Sequence, residues 1–480
     1  MCPMSMLRLP NELILHIATF LKKDRDIASL LQTNRRLKTV LGECLFQNNL
    51  SINDGSALPL CAKYGVISGV QTLLKLGAAG DETDSDSRTV WTYAAENGDF
   101  GIWQMLLDHE VSLGLKPDMN KKDDYHGRTP LSWAAQGGQL EFAQYLVKFG
   151  AKLDAKCSEK RTPLSYAAQS GHSMMVQWLL DQGANLRDSL HREDRDGLTP
   201  LHYAAFEGHE DIMRLLISLG ADIDCMESDC MDLAAQTPLM EAARGGQYTV
   251  VKMLLEMGTK ASEGDGRGMS PLQYAARAGV GEPLRESEYH IPDYMCEQPG
   301  PGWYFDGAGY QATQISGNPV DYLAIVKLLV AHGADPNEVH EDHYGHPQGG
   351  PLYCASWAGA TDIVEFLIEM GADINKMSAI GGRTALHAAV RNGHLDVTEK
   401  LLVNGANVNA RDGTNHTPLD RAIFAARIAN QGKYIHEYGS GWRTEHMLLF
   451  EANLQKYQQV VDLLIAHGGE VGREDAFIPW

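Results

Sequence analysis

The chain has no apolar run approaching the roughly 18 residues needed to cross a bilayer. Its first residues also lack a basic stretch followed by an apolar signal core. No membrane partner is expected, and cytoplasm or nucleus is the expected location. Basic residues are scarce: 41 Lys plus Arg stand against 62 Asp plus Glu, a formal charge of -21. That balance disfavours nucleic acid and anionic lipid and suits a basic protein partner. Eight cysteines are scattered over 480 residues without a close C-x-x-C pair, which reads as reduced thiols rather than a disulfide framework. No G-x-S-x-G, phosphate-binding loop, zinc-protease helix or dinucleotide fingerprint occurs, so no catalytic residue, cofactor or metal site is assigned.

What is present is repetition. The clearest unit runs from Asp196 to Asp224, DGLTPLHYAAFEGHEDIMRLLISLGADID. Thr199 suits a helix cap, Pro200 suits the first helical position, and Leu201, Ala204 and Ala205 form a narrow apolar face. Gly208 stops that helix; Ile212, Leu215, Leu216 and Leu219 then follow at i, i+3, i+4 and i+7 before Gly220. A helix pair this short cannot bury its own apolar faces and needs a similar neighbour on each side. Glycines mark the copies: the pairs 65/77, 138/150, 171/183, 208/220, 246/258, 359/371 and 393/405 are each 12 residues apart. Gly98 predicts a second stop at 110, where Glu110 stands, so that helix is expected to end loosely.

The T-P-L-H-x-A-A opening at Thr199 to Ala205 and the L-L-x-x-G-A close at Leu215 to Ala221 resemble the ankyrin repeat. The resemblance implies an all-α ankyrin-repeat solenoid of about ten repeats. Residues 51–279 would hold six repeats and the first helix of a seventh, with insertions at 280–320 and 431–456, the array resuming over 321–430 and 457–480. Both insertions fall at the turn between paired helices, on the edge opposite the hairpin fingers. The first is rich in Gly, Pro and aromatics and is expected to be ordered. The later part of the second is expected to run helically into the final repeat, after a first helix ending at Ala426. A regular finger has 21 residues between stops, but the fingers near 114–126, 187–196 and 225–236 are longer, and loops gather binding residues.

Residues 1–50 follow another pattern. LRLPNELILHIATFL reads as an amphipathic helix, and KKDRDIASLLQTNRRLKTVL as two more. The L-P-x-E-L opening and the T-N-R-R-L of Thr33 to Leu37 resemble the F-box, with a Leu where many members carry Trp; the combination looks fungal. The resemblance implies that Leu9, Pro10, Leu13, Ile17, Phe20, Leu21, Ile27, Leu30 and Leu37 bind a Skp-type linker. A cap on the repeat stack is the alternative for this stretch.

One first-helix position, two before the second Ala of A-A, carries Tyr93, Trp133, Tyr166, Tyr203, Glu241 and Tyr274; the position three further on carries Phe206, Arg244, Arg277 and Trp357. Aromatic and Arg anchors suit a partner-binding groove, whereas packing between adjacent first helices is the alternative. HEDHYGH at His340 to His346 reads as a solvated finger, as does the acidic run at 81–87. The resemblances together imply a substrate-recognition adaptor of a cullin-type ubiquitin ligase, not an enzyme, with a protein substrate in the groove. The other readings are a scaffold outside any ligase and an enzyme acting on a small apolar substrate at Glu241 and Arg244.

Overall fold

The computed structural model describes residues 57–472 except 76–77, 79, 82, 85–87, 117, 125, 184–193, 195–196, 227–235, 267, 279–320, 341–348, 379–380 and 438–443, with the side chains of 57 and 428–453 left aside. The F-box-like stretch and the first insertion lie outside the described residues, as does most of the fingers at 187–196 and 225–236.

The described residues form twenty helices in ten consecutive pairs. These are α1 Ala57–Lys63 with α2 Ile67–Lys75, α3 Val90–Asn97 with α4 Phe100–Ser112, α5 Pro130–Gln136 with α6 Leu140–Lys148, and α7 Pro163–Gln169 with α8 Ser173–Asp181. Next come α9 Pro200–Glu207 with α10 Glu210–Ser218, α11 Pro238–Arg244 with α12 Tyr248–Glu256, and α13 Pro271–Arg277 with α14 Tyr322–Ala331. The last pairs are α15 Pro351–Ala358 with α16 Thr361–Glu369, α17 Ala385–Arg391 with α18 Leu395–Val403, and α19 Pro418–Glu437 with α20 Thr444–Ala466. The fold is an all-α ankyrin-repeat solenoid, with no strand among the described residues beyond an isolated bridge between Thr83 and Thr89.

Local chemistry sets the helix ends. The hydroxyls of Thr129, Thr162 and Thr237 accept from the amides of Ser132, Ser165 and Met240, with Pro at the first helical position each time. Glycines close the second helices with positive φ, such as 98° at Gly150 and Gly220 and 92° at Gly258. Buried Leu131, Leu272 and Leu386, all 0% exposed, represent the core face of the first helices. Each such leucine stabilises the stack by about 1.5–3 kcal/mol.

Two expected helix ends differ. Instead of fraying at Glu110, α4 continues to Ser112, and Gly114 (φ 76°) closes it, with Leu115 N–H donating to Glu110 O at 2.9 Å. The stop has moved one turn along the chain, so the helix ends regularly. Likewise Ala426 does not end α19, which runs to Glu437, and α20 begins at Thr444. Much of the second insertion is therefore a lengthened helix pair.

The chain divides into two compact units, one within Met1–Ala204 plus Asp211–Ala221, the other within Ala205–Glu210 plus Asp222–Trp480. In both units asparagines clamp successive fingers. Asn120 in the first donates to Gly150 O at 3.0 Å and accepts from Lys152 N–H at 2.8 Å. Asn337, Asn375 and Asn409 repeat this in the second, donating to the carbonyls of Gly371, Gly405 and Gly468. These bonds fix the spacing of the fingers.

Candidate partner-binding surface

In the first unit, an arginine stands just before the cap of three first helices, α3, α5 and α7, beside the aromatic position. Arg88, Arg128 and Arg161 precede Thr89, Thr129 and Thr162. Arg88 lies 4.0 Å from the ring centroids of both Tyr93 and Trp133. Arg128 lies 3.6 Å from Trp133 and 3.7 Å from Tyr166, and Arg161 lies 4.3 Å from Tyr166 and 3.9 Å from Tyr203. Guanidinium and ring alternate through four repeats, each plane attracted to the next by the ring quadrupole.

The polar ends of this ladder are held too. Tyr93 O–H donates to Asp84 at 2.7 Å, Trp133 Nε1–H to Asp123 at 2.9 Å, Tyr166 O–H to Cys157 Sγ at 3.4 Å, and Tyr203 O–H to Asp194. The guanidiniums reach Glu96, Gln136 and Gln169 at the far end of the helix that each arginine precedes. Burial, reinforced by neighbouring Arg161 and Arg88, pushes Arg128 down to about 10 against the opposing pull of Tyr166 and Asp123. Burial also raises the Tyr166 phenol. The rings expected to line an open groove are thus inside: Tyr93, Trp133, Tyr166 and Tyr203 are 2, 4, 6 and 9% exposed. What this face offers a partner is the half-buried fringe of Glu96, Gln136 and Gln169.

The second unit answers the same positions differently. Tyr274 is fully buried, donating to Asp265 at 2.6 Å and accepting from Gln236 Nε2 at 2.6 Å. Glu241 and Arg244 form a buried ion pair at 2.6 Å, with Arg244 lying 4.7 Å from the half-buried Phe206 ring. Buried ion pairs of this kind are costly to break and specify local structure more than they stabilise it. Half-buried Arg277 lies 4.7 Å from the ring of Trp357, which is 36% exposed. Of the residues expected to meet a partner, Trp357 is the exposed aromatic, with Phe206 and Arg277 beside it in kind.

The remaining clusters are also placed. Asp84, from the acidic run at 81–87, points inward to Tyr93 rather than to solvent. From the histidine-rich finger, His340 Nε2 lies 4.0 Å from Glu338 Oε2; 341–346 fall outside the described residues. Burial pushes the Glu338 carboxyl up to about 7 despite the Ser270 hydroxyl that donates to it.

The ladder arginines escaped the sequence reading, although the R-T pair before a first helix recurs at 88, 128 and 161. Reading that pair beside the aromatic five residues on would have exposed the alternation.

Among known proteins, the family described as ankyrin repeats (3 copies) matches residues 58–157, 113–190, 152–227 and 352–440, and ankyrin repeats (many copies) matches 201–255. The matches begin downstream of the F-box-like stretch. The chain is 31% identical over 160 residues to a transient receptor potential cation channel subfamily A member 1 homolog of Caenorhabditis elegans, covering 32% of this chain and 12% of that protein. It is 37% identical over 106 residues to a putative ankyrin repeat protein of fowlpox virus, covering 22% and 30%. It is 38% identical over 99 residues to ankyrin repeat and SOCS box protein 11 of Danio rerio, covering 21% and 31%. The chain thus spans less than a third of the length of each of these relatives. No helix among the described residues is long and apolar enough to cross a membrane.

Proposed function

The chain belongs to the ankyrin-repeat family, whose repeats imply a protein–protein interaction role, and on that premise we propose that it is the substrate-recognition adaptor of a cullin-type ubiquitin ligase. The observation that carries the proposal is the sequence ahead of the array: L-P-x-E-L at 9–13 and T-N-R-R-L at 33–37, in a stretch whose apolar spacing predicts three short helices. In this reading Leu9, Pro10, Leu13, Ile17, Phe20, Leu21, Ile27, Leu30 and Leu37 bury against a Skp-type linker. The repeats hold a protein substrate, with Trp357, Phe206 and Arg277 as exposed or half-buried anchors. The chain supplies proximity rather than chemistry. The relative named for ankyrin repeats and a SOCS box offers a parallel for a repeat array carried with a second short module.

The test is capture of the Skp-type linker by the full chain and by a chain lacking residues 1–46. Capture by the full chain alone supports the adaptor. Equal capture by both, or by neither, refutes it and leaves the second reading, an interaction scaffold outside any ligase, which the family match on the array alone favours.

A further inference from the structure

The first-helix register three residues beyond the aromatic position changes character along the array. In the first unit it carries Glu96, Gln136 and Gln169, each an acceptor for the arginine eight residues earlier. In the second unit it carries Arg277, Trp357, Arg391 and Phe424 on the neighbouring helices α13, α15, α17 and α19. Arg244, at the same register, is buried on Glu241. Eight residues before Arg277 and Trp357 stand Met269 and Gly349, so the cap side supplies no guanidinium to these two positions.

Where the first unit has Tyr93, Trp133 and Tyr166, α15 and α17 have Cys354 and Ala388, too short to stack on a guanidinium. Cations and rings stand further out instead. Trp357 is 36% exposed and Phe424 49%, with half-buried Arg277 and Arg391 on the helices that alternate with theirs. Arg277 lies over the Trp357 ring at 4.7 Å. Acids of the adjoining fingers are turned inward: Asp265 accepts from Tyr274, Glu338 from Ser270 and Asp412 from Arg421. The register is also held through its backbone, since Asn392 Nδ2–H donates to Trp357 O at 2.7 Å and Tyr457 O–H to Arg391 O at 3.2 Å.

Arg277 and Arg391 stand two first helices apart, with Trp357 between them. Packed helices lie about 8–10 Å apart, so these two anchor points are spaced by about 16–20 Å. An extended chain covers that span in about five or six residues. Two separated cations suit two single carboxylates, whereas a phosphate calls for arginines gathered on one group. The formal charge of -21 favours basic partners at long range, and this register reverses that sign locally.

We propose that α13, α15, α17 and α19 dock an extended acidic segment of the protein substrate, with Asp or Glu carboxylates on Arg277 and Arg391 and apolar side chains on Trp357 and Phe424. Guanidinium N–H groups bond carboxylates with charge assistance, and an exposed ring removes an apolar side chain from water. A rigid register lowers the ordering cost of binding. The inference deepens the adaptor reading by naming its substrate class, and it rests on that reading only for calling the bound segment a substrate.

The test uses the full chain and a labelled peptide with two Glu residues about six apart and a Leu midway, read by fluorescence anisotropy. Comparison peptides carry Lys or phosphoserine in place of both Glu, or place the two Glu side by side. The spaced Glu peptide is expected to bind tightest, by about tenfold or more over the Lys peptide. Arg277→Gln, Arg391→Gln and Trp357→Ala should each weaken it about tenfold, whereas Met174→Ala, at a 73%-exposed site in the first unit, should leave it unchanged. Arg391→Glu should lose the Glu peptide and gain one with Lys at one of the two positions, an exchange that loss of folding cannot produce. Equal binding of Glu and Lys peptides, tighter binding of the phosphoserine or side-by-side peptide, or an unchanged preference in Arg391→Glu overturns the inference. Linker capture is independent of this outcome: peptide preference without it sinks the ligase reading alone, and linker capture without peptide preference sinks the docking surface alone.

Discussion

Replacing Arg128 by Leu sets two effects against each other. The guanidinium is 7% exposed, and burial pushes it down to about 10 from 12.5, a cost of about 3 kcal/mol. Against this stand two desolvated stacking contacts, at 3.6 and 3.7 Å, each about 2 kcal/mol, and a charged hydrogen bond to Gln136 of about 1.5 kcal/mol. The favourable side wins by about 2 kcal/mol, to which the variant adds the gap left between Trp133 and Tyr166. Stability in repeat arrays is local, a sum of repeat and interface terms, so the loss should appear where the ladder is cut. Hydrogen exchange of the amides in α5 and α7 should accelerate about 30-fold, with α15 to α18 unchanged. Arg128→Lys, which keeps charge but not the planar fork, should fall between. The reasoning fails if the Leu variant exchanges as slowly as the parent, because desolvation would then outweigh stacking. It also fails if Lys matches Arg, because charge alone would then suffice.

Trp133→Ala, at a 4%-exposed site, should destabilise the first unit by about 3–5 kcal/mol in urea unfolding, whereas Trp357→Ala should leave stability nearly intact and weaken substrate capture in pull-downs. Glu338 is raised from 4.5 to about 7, so the folded state holds its proton where the unfolded state has lost it. Stability should therefore fall as pH rises through this window and level off above it, by at most on the order of 3 kcal/mol. Glu338→Gln, which can still accept from Ser270, should flatten that dependence in denaturant midpoints taken from pH 5 to 8. Gly137 has an ordinary φ of -78°, but a Cβ there would sit 2.0 Å from the Glu96 carbonyl oxygen. Gly150 has open space around it but a φ of 98°. Gly137→Ala should thus lower the melting temperature more than Gly150→Ala, whose left-handed backbone costs only about 1–2 kcal/mol.

Helix ends were legible because their causes are local. A Thr-Pro start and a glycine in the left-handed region act within a single turn, so the 12-residue glycine intervals locate the paired helices directly. Glu110 misled for the same reason. The absence of a glycine there says nothing of Gly114, which closes the helix equally well one turn later. The register of Tyr93, Trp133, Tyr166 and Tyr203 was legible too, but not their burial. That depends on arginines whose spacing, 40 residues from Arg88 to Arg128 and 33 from Arg128 to Arg161, is disguised by unequal fingers.

Positions where the repeats agree and positions where one repeat disagrees carry different information. Agreement along neighbouring repeats reports what those copies need in order to pack on one another, and the aromatic run of the first unit is such a local device, satisfied internally by Arg88, Arg128 and Arg161. Disagreement has no such cause. Nine leucines show that Trp91 is unnecessary for stacking, and nine smaller residues show the same of Trp103, yet both introduce donors that the fold leaves without acceptors. The two indoles instead pack on one another, edge to face at 4.8 Å, so the second repeat fills its core with a pair of rings where the other repeats use leucine and a smaller side chain.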